Sequence, residues 1–367
     1  ANVETLGVIT QKLHRINPAF YIGKGKAQQV IEQAKLLNAN VVIFDDELSP
    51  AQIKNYHKLA KKIKVIDRSA LILDIFKKRA KTREAKTQVE LALCQYLLPR
   101  LTRQWTHLER QMGGVGTRAG MGETQIEIDR RLIREKISKL KIDLKKIDSE
   151  RKTQSQNRGK EYRVALVGYT NAGKSTLFNS LTGNDVYVKN QLFATLDTTV
   201  RKLKLNKKHQ VLLSDTVGFI RKLPHNLVAS FRSTLKELLE ANHILIVLDA
   251  SSNIIEEHLE TINLVLNELG AMEIPKSYIF NKIDLIKKDV DLRKLKSSFN
   301  NAIFISALHH LKLDDIKKHL IDKVESDFDI FDLNIAYDQG KILSEIQDQA
   351  EILYTDYGDD FIKLKIR

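Results

Sequence analysis

Short apolar runs alternate with segments of helical periodicity in the first part of the chain. The runs that predict strands lie at residues 6–9, 40–44 and 64–66. Residues 27–37 carry apolar side chains at helical spacing, and Ser49 followed by Pro50 is typical of the start of a second helix. This alternation predicts an N-terminal α/β subdomain with parallel strands over residues 1–77.

The next part of the chain has the pattern of long amphipathic helices. Residues 84–111 carry an apolar face, and Pro99 should kink or interrupt this helix. Residues 124–148 place apolar side chains three, four and seven apart. Two such helices predict an antiparallel hairpin over residues 78–150. The polar residues 151–160 that follow predict a linker.

The loop between the two helices, residues 112–122, holds five glycines, which suit a mobile tip that approaches a partner closely. The arginines on or beside it are Arg103, Arg110, Arg118, Arg130 and Arg131. Together with Trp105 and His107 they combine cations with flat rings, which suits phosphates and splayed bases. We therefore predict that this tip contacts RNA. The alternative is a solvated hairpin end whose charges serve solubility.

The second half of the chain again alternates buried runs with helical patterns. Strands are predicted at residues 164–167, 203–205, 211–213, 244–249, 277–280 and 302–305. They indicate an α/β domain over residues 161–323. A small C-terminal α/β domain, residues 324–367, is predicted as a strand, a helix and a final strand.

The positive net charge of the chain favours negatively charged partners. The formal net charge of +14 over 367 residues predicts attraction to polyanions, most commonly nucleic acid, although a basic and well-solvated surface gives the same count. The single cysteine, Cys94, lies among leucines and is expected to be a core residue. No apolar run approaches the length of a membrane-spanning helix, and no signal peptide is visible. We expect a cytoplasmic protein without membrane insertion.

Residues 168–175 read Gly-Tyr-Thr-Asn-Ala-Gly-Lys-Ser and match the phosphate-binding loop G-x-x-x-x-G-K-[ST]. The glycines let successive backbone N–H groups turn toward phosphates. Lys174 supplies positive charge, and the Ser175 hydroxyl is placed to bind Mg²⁺. The alternative is a glycine turn in an unrelated α/β protein. The predicted strand before this loop and the predicted helix after it favour the phosphate-binding loop. The predicted nucleotide contacts are Gly168, Tyr169, Thr170, Asn171, Ala172, Gly173, Lys174, Ser175 and Thr176.

Four further motifs follow in an order that indicates GTP. In residues 193–199 a threonine hydroxyl can complete the Mg²⁺ shell; by residue type the candidates are Thr195, Thr198 and Thr199. In the motif Asp215-Thr216-Val217-Gly218 the acid can hold Mg²⁺ through water, and the glycine N–H can reach the γ-phosphate.

The last two motifs concern the base. In Asn281-Lys282-Ile283-Asp284, the Asp284 carboxylate can accept from guanine N1–H and the exocyclic amine, whereas adenine offers neither in that arrangement. The backbone of Ser306-Ala307-Leu308 can meet guanine O6. The sequence therefore predicts a GTP-hydrolysing enzyme with Mg²⁺ as its metal.

These motifs, together with the glycine loop and its flanks at residues 111–125, resemble the HflX family of translation-factor-related GTPases. The resemblance implies a P-loop GTPase domain between an α/β-plus-hairpin domain and a small C-terminal domain. It also implies binding to the large (50S) ribosomal subunit and its rRNA, a role in splitting or rescuing stalled ribosomes, and a monomer. By this resemblance Thr195 is the Mg²⁺ threonine, and the loop lining the nucleotide comprises Phe193, Ala194, Thr195, Leu196 and Asp197. The family commonly reads Asp-Pro-Thr where this chain has Asp197-Thr198-Thr199, which slightly loosens the loop.

Two positions bear on turnover. Phe219 stands where a glutamine often orients the attacking water, so intrinsic hydrolysis should be slow and a partner should accelerate it. Asn171 resembles the asparagine of potassium-activated GTPases and predicts a K⁺ site; the alternative is a hydrogen bond within the loop. The predicted catalytic set is Lys174, Thr195, Gly218 and Asn171.

Two other functions remain open from the sequence. One is an RNA-binding assembly factor of the large subunit that uses GTP as a conformational switch. The other is an ATP-dependent RNA remodeller that acts through the N-terminal domain. The glycines of residues 21–26 could bind an anion at the first helix, although a structural turn explains them as well.

Overall fold

The computed structural model describes residues 4–60, 62–101, 125–156, 161–183, 198–220, 236–286, 289–327, 331–350, 352–358 and 361–366. The predicted glycine-rich tip lies outside the described residues, with Arg103, Arg110 and Arg118. The nucleotide loop from Phe193 to Asp197 lies outside them as well.

The N-terminal subdomain is a small α/β layer, as predicted. Its elements are α1 (Lys24–Leu36), β1 (Val41–Phe44), α2 (Pro50–Ala60), β2 (Lys64–Asp67) and α3 (Arg68–Arg79). The two strands pair in parallel. Ser49 and Gln52 form a reciprocal cap at the start of α2: the Gln52 N–H donates to the Ser49 hydroxyl at 3.2 Å, and the Ser49 N–H donates to the Gln52 side chain at 2.8 Å.

Two features of this subdomain differ from the sequence prediction. The strand predicted at residues 6–9 is wrong, because these residues form no strand and Val8 is 79% exposed. Helix α3 was not predicted. Its start is marked by Asp67, whose carboxylate accepts from the Ala70 N–H at 2.8 Å as an N-cap.

The middle region contains α4 (Arg83–Leu97), a short 3-10 turn (Leu98–Arg100) and α5 (Gln125–Gln156). The first helix ends at Leu97, directly before the turn that contains Pro99, which agrees with the predicted interruption; residues 102–111 of the predicted helix lie outside the described residues. The buried Cys94 packs in the apolar cluster that joins the two helices, and burial raises the pKa of its thiol. Helix α5 continues to Gln156, so residues 151–156 are helical where a linker was predicted. This stretch is polar but rich in lysine, arginine and glutamine, which are good helix formers.

A six-stranded sheet forms the centre of the second half. Its strands are β3 (Tyr162–Gly168), β4 (Thr199–Lys204), β5 (Gln210–Asp215), β6 (His243–Asp249), β7 (Lys276–Asn281) and β8 (Ile303–Phe304). The order is β4-β5-β3-β6-β7-β8, and only the edge strand β4 runs antiparallel to its neighbour. The helices are α6 (Lys174–Thr182), α7 (Lys236–Leu239), α8 (Ile255–Leu269), α9 (Asp289–Ser298) and α10 (Leu313–Ser326).

Both faces of this sheet are buried, which explains the continuous apolar runs in the sequence. Along β3, Ala165 and Val167 belong to one apolar cluster, whereas Val164 and Leu166 belong to another. Because the central strands are parallel, their carboxyl ends share one edge of the sheet. The loops after β3, β5, β6 and β7 are therefore neighbours there.

The C-terminal module contains β9 (Phe331–Ala336), α11 (Gly340–Gln349), β10 (Ile352–Tyr357) and β11 (Phe361–Ile366). The antiparallel sheet has the order β10-β11-β9, and β10 was not predicted. Ile362 and Leu364 are buried, whereas Lys363 and Lys365, which alternate with them, are exposed, as the alternation predicts. Over the described part of the chain, no helix combines the length and the apolar character that crossing a membrane requires.

A chain of buried polar groups lies at the opposite, amino-terminal edge of the central sheet. The Ser277 hydroxyl lies 2.9 Å from Nε2 of His243 and 2.7 Å from Nε2 of His319, which belongs to α10. The hydroxyl has only one proton to donate, so one ring nitrogen accepts it and the other ring donates its N–H to the hydroxyl oxygen. Burial lowers the pKa of His243 to about 4, helped by the nearby His319 and Lys323, and burial also lowers the pKa of His319.

We predict that this cluster makes the fold less stable in mild acid. His243 is neutral in the folded protein down to about pH 4 but takes up a proton in the unfolded chain near its usual pKa of 6.5. The unfolded state therefore binds the extra proton, and the free energy of unfolding falls by about 3 kcal/mol as the pH drops through this window. Denaturant unfolding at pH 7.5, 6 and 4.5 measures this change in the free energy of unfolding. The variant His243→Leu should show a shallower pH dependence, and parallel profiles would contradict the prediction.

Candidate functional site

The loop between β3 and α6 has the geometry of a phosphate-binding loop. A side-chain carbon on Gly168 would lie 2.2 Å from the carbonyl oxygen of Val247, so only glycine allows this approach of β6. Gly173 has φ +92, and a side-chain carbon there would lie 2.2 Å from the Asn281 amide. Asn171 also takes a left-handed backbone conformation, with φ +63. These turns bring the loop over the start of α6, where helix N–H groups point outward.

Lys174, the first residue of α6, lies inside this loop. Its side chain is buried, and the ammonium donates to the carbonyl oxygens of Gly168 at 3.1 Å and Tyr169 at 3.0 Å. Burial lowers the pKa of Lys174 to about 8, and the nearby Asp215 opposes that shift. The charge is thus held within the curve of the loop, where a phosphate can take over its hydrogen bonds.

The Asp-x-x-Gly motif continues β5 beside the phosphate loop. The Phe219 N–H donates to the Gly168 carbonyl at 3.0 Å, and its own carbonyl accepts from the Thr170 N–H at 2.8 Å. A side-chain carbon on Gly218 would lie 2.9 Å from Cα of Thr170, so this glycine lies against the loop. The Phe219 ring is 2% exposed and packs in the core. This apolar, buried ring cannot orient a water molecule.

The Asn281 amide joins the phosphate loop to the base motifs. Its Nδ2 donates to the Ala172 carbonyl at 3.0 Å, and its Oδ1 accepts from the Ala307 N–H at 2.9 Å. The Ala307 carbonyl in turn accepts from the Ser180 hydroxyl at 2.9 Å. This linking role of Asn281 was not predicted, although an amide at the end of a buried strand is a signal for one.

The remaining base motifs lie at the same sheet edge. The side chain of Asp284 is 18% exposed, and its Oδ2 lies 3.7 Å from Nε2 of His309. Ser306 is buried, whereas Leu308 is 69% exposed. The Lys282 ammonium donates to Asp249 at 2.7 Å. Neither His309 nor Asp249 was predicted, because each contact joins residues that are distant along the chain.

The oxygen donors at this edge suit Mg²⁺. Ser175 stands in the first turn of α6, and the buried Asp215 ends β5 at the same side of the sheet. Hydroxyl and carboxylate oxygens are ligands that Mg²⁺ accepts, with phosphates and water completing its shell. Of the other hydroxyl candidates, Thr199 begins β4 opposite Asp215, and Thr198 directly precedes that strand.

The predicted RNA-contact residues are described only in part. Arg130 and Arg131 lie in the second turn of α5, and both are exposed. The two arginines therefore lie on the surface of α5, within its first two turns after Gln125.

A glycine loop between a parallel strand and a helix, with an acid motif and a guanine motif on the same sheet edge, defines a P-loop GTPase. Residues 1–77 match a family model described as "GTP-binding GTPase N-terminal", residues 79–158 one described as "GTP-binding GTPase Middle Region", and residues 163–282 one described as "50S ribosome-binding GTPase". The chain belongs to the HflX family of GTPases, which hydrolyse GTP to GDP and phosphate.

Similar proteins named GTPase HflX come from several bacteria. The chain is 46% identical to that of Flavobacterium psychrophilum, a match that covers 88% of this chain and 83% of the relative. It is 44% identical to that of Escherichia coli, with 94% and 81% covered. Among solved structures, an SsGBP–GDP complex is 28% identical with a TM-score of 0.47, covering 84% of this chain and 88% of that one.

Proposed function

We propose that the protein binds the large ribosomal subunit in its GTP-bound state and splits or rescues stalled ribosomes, acting as a monomer. The observation that carries the proposal is the set of bonds between the phosphate loop, the Asp-x-x-Gly motif and the guanine motif. Its second support is the description of the matched family model, a 50S ribosome-binding GTPase. A site of this kind makes ribosome binding depend on which nucleotide is bound.

Each residue of the site has a separate role in binding GTP or in its hydrolysis. Lys174 and the loop N–H groups hold the β- and γ-phosphates, and the Gly218 N–H meets the γ-phosphate. Ser175 and Thr195 would hold Mg²⁺ directly and Asp215 would hold it through water, and the ion would supply positive charge beside the phosphates. Asp284 accepts from the guanine base, and Lys282 lies beside it. Because Phe219 cannot orient water, the group that completes the site comes from the ribosome or from a bound cation.

A ribosome-splitting assay tests this function. We expect the protein with a non-hydrolysable GTP analogue to sediment with large subunits and to lower the light scattering of intact ribosomes as they separate. With GDP, both signals should be weak. Sedimentation with large subunits without separation of ribosomes would instead favour the assembly-factor function. Failure to sediment with subunits in either nucleotide state would refute the proposal.

We predict that Arg130 and Arg131 contribute to subunit binding through phosphate contacts. Replacing both with alanine should weaken binding and reduce the slope of log K against log salt by roughly two, since about one counterion is released per contact. The charge-matched control is the double alanine variant of Lys207 and Lys208, which are exposed in the β4–β5 turn. Sedimentation between 50 and 200 mM salt, a range over which such slopes resolve, is the measurement. Equal slopes of log K against log salt for the two double variants would show that the arginines are solvent-exposed charges that do not contact the subunit.

We predict a K⁺ site at Asn171. This residue is exposed, has φ +63 and makes no side-chain hydrogen bond to the residues that the structure describes. A K⁺ ion held by its side-chain oxygen would stabilise charge that develops in the transition state. Hydrolysis should therefore be faster in KCl than in NaCl at equal ionic strength, and Asn171→Ala should abolish the difference. Equal rates in both salts, with and without ribosomal subunits, would reject the ion.

A further inference from the structure

Asp249 ends β6 at the nucleotide edge of the sheet, and both of its carboxylate oxygens are hydrogen-bonded. Its Oδ2 accepts from the Lys282 ammonium at 2.7 Å. Its Oδ1 accepts from the Ser251 N–H at 3.0 Å and from the Ser251 hydroxyl at 2.6 Å. The carboxylate therefore cannot turn away from Lys282 without losing bonds on its other side.

Hydrogen bonds between β6 and β7 also fix the backbone next to Lys282. Asp249 and Asn281 lie opposite each other in the β6–β7 pair, and the Asn281 carbonyl accepts from the Ala250 N–H at 2.8 Å. Lys282 itself has φ +64, a left-handed conformation that lysine rarely adopts. This turn directs the side chain back over the sheet edge instead of into solvent, and the side chain is 24% exposed.

The Lys282 stem extends from the guanine motif toward the phosphate loop. Its Cε lies 4.0 Å from the point where a side-chain carbon on Gly173 would stand. The stem is anchored by its backbone two residues before Asp284 and by the ion pair at its far end. A lysine held at both ends presents a row of CH₂ groups, and such groups pack well against a flat ring.

We propose that Asp249 is a positioning residue for the guanine nucleotide: its carboxylate holds Lys282 extended, so that the lysine stem forms one side of the base and ribose site. Without the carboxylate the stem is free to take many rotamers, and ordering it becomes part of binding. The ion pair also keeps this ammonium away from the phosphates, which leaves their charge to Lys174. This inference rests on the proposed nucleotide site, where Asp249 acts through Lys282.

A double-mutant cycle on the full chain tests the inference. The affinity and dissociation rate of a fluorescent GDP analogue are measured for the wild type, Asp249→Ala, Lys282→Ala and the double variant. Asp249→Ala should bind about tenfold more weakly, with most of the change in the dissociation rate. The double variant should bind no more weakly than Lys282→Ala, because Asp249 acts only through that lysine.

The controls separate positioning from stability. Asp74→Ala removes an exposed ion pair with Lys78 (3.0 Å) in α3 and should leave GDP affinity unchanged. Asp249→Asn keeps an oxygen for the lysine and should recover part of the lost affinity. If Asp249→Ala does not fold, the GDP affinity of Asp249→Asn is compared with that of the wild type instead. Loss of folding in both variants would show that Asp249 is needed for stability and would overturn the proposal.

The remaining outcomes are also distinct. Affinity of Asp249→Ala within twofold of the wild type, or losses that add in the double variant, would overturn the positioning role alone. A wild-type chain that bound no guanine nucleotide would instead refute the nucleotide site on which the inference rests.

Discussion

Asp284→Asn should change the base that the protein binds from guanine to xanthine. The carboxylate accepts from N1–H and the exocyclic amine of guanine; an asparagine amide turns one acceptor into a donor, which matches the O2 carbonyl of xanthine. We expect GTP affinity to fall by about three orders of magnitude, because a base site built on hydrogen bonds is left with unpaired polar groups. Competition binding with GTP and XTP measures the exchange.

The structure supplies a matched control for this variant. Asp314 stands in the first turn of α10 with its side chain 86% exposed, so Asp314→Asn removes the same charge from a solvated position. Its GTP and XTP affinities should equal those of the wild type. Full GTP affinity in Asp284→Asn would show that another group reads the base.

Lys174→Ala should lower GTP affinity and turnover by about two to three orders of magnitude, because it removes the cation held against the phosphates. The chain should still fold, since the change removes a buried charge. The lysine also predicts a pH dependence. Burial sets its pKa at about 8, and a bound polyanion stabilises the charged form and raises that pKa. GDP binding therefore takes up a proton above pH 8, and the affinity falls as the pH rises.

Titrations between pH 7 and 9 measure this effect. The wild-type affinity should be flat near pH 7 and decline toward pH 9, by less than about tenfold per unit as linkage to one proton requires. The residual affinity of Lys174→Ala should lack the decline, which separates the lysine from ionisation of the nucleotide itself. The same slope in both proteins would show that Lys174 does not titrate in this range.

Local patterns predicted most of the central domain. The phosphate loop was predictable because the glycine spacing, the preceding apolar run and the following helix all occur within about 20 residues, where sequence motifs are specific. The parallel sheet followed from apolar runs such as residues 244–249, which have no polar alternation because both faces are buried. Helices α4 and α5 followed from periodicity, and the interruption of α4 near Pro99 followed from proline chemistry.

The missed features depend on contacts between distant residues. Asp249 and Lys282 meet only because β6 and β7 are neighbours, and no local pattern marks Asp249. The Asn281 amide bridge likewise needs three separate segments to meet. The strand predicted at residues 6–9 had the right residue types, but strand formation needs a partner. Residues 151–156 look like a linker by polarity alone, yet their helix propensity continues α5.

The Asn281 amide also has a thermodynamic consequence for binding. It fixes the distance between the loop that receives phosphates and the segment that receives the base, using bonds within the protein. A guanine nucleotide therefore meets two half-sites at a set spacing, and its nucleoside and phosphate halves behave as two linked ligands. Much of the conformational entropy needed to align these halves is lost during folding rather than during association. Guanosine alone and pyrophosphate alone should each bind far more weakly than GDP, since neither gains the effective concentration that the covalent link supplies.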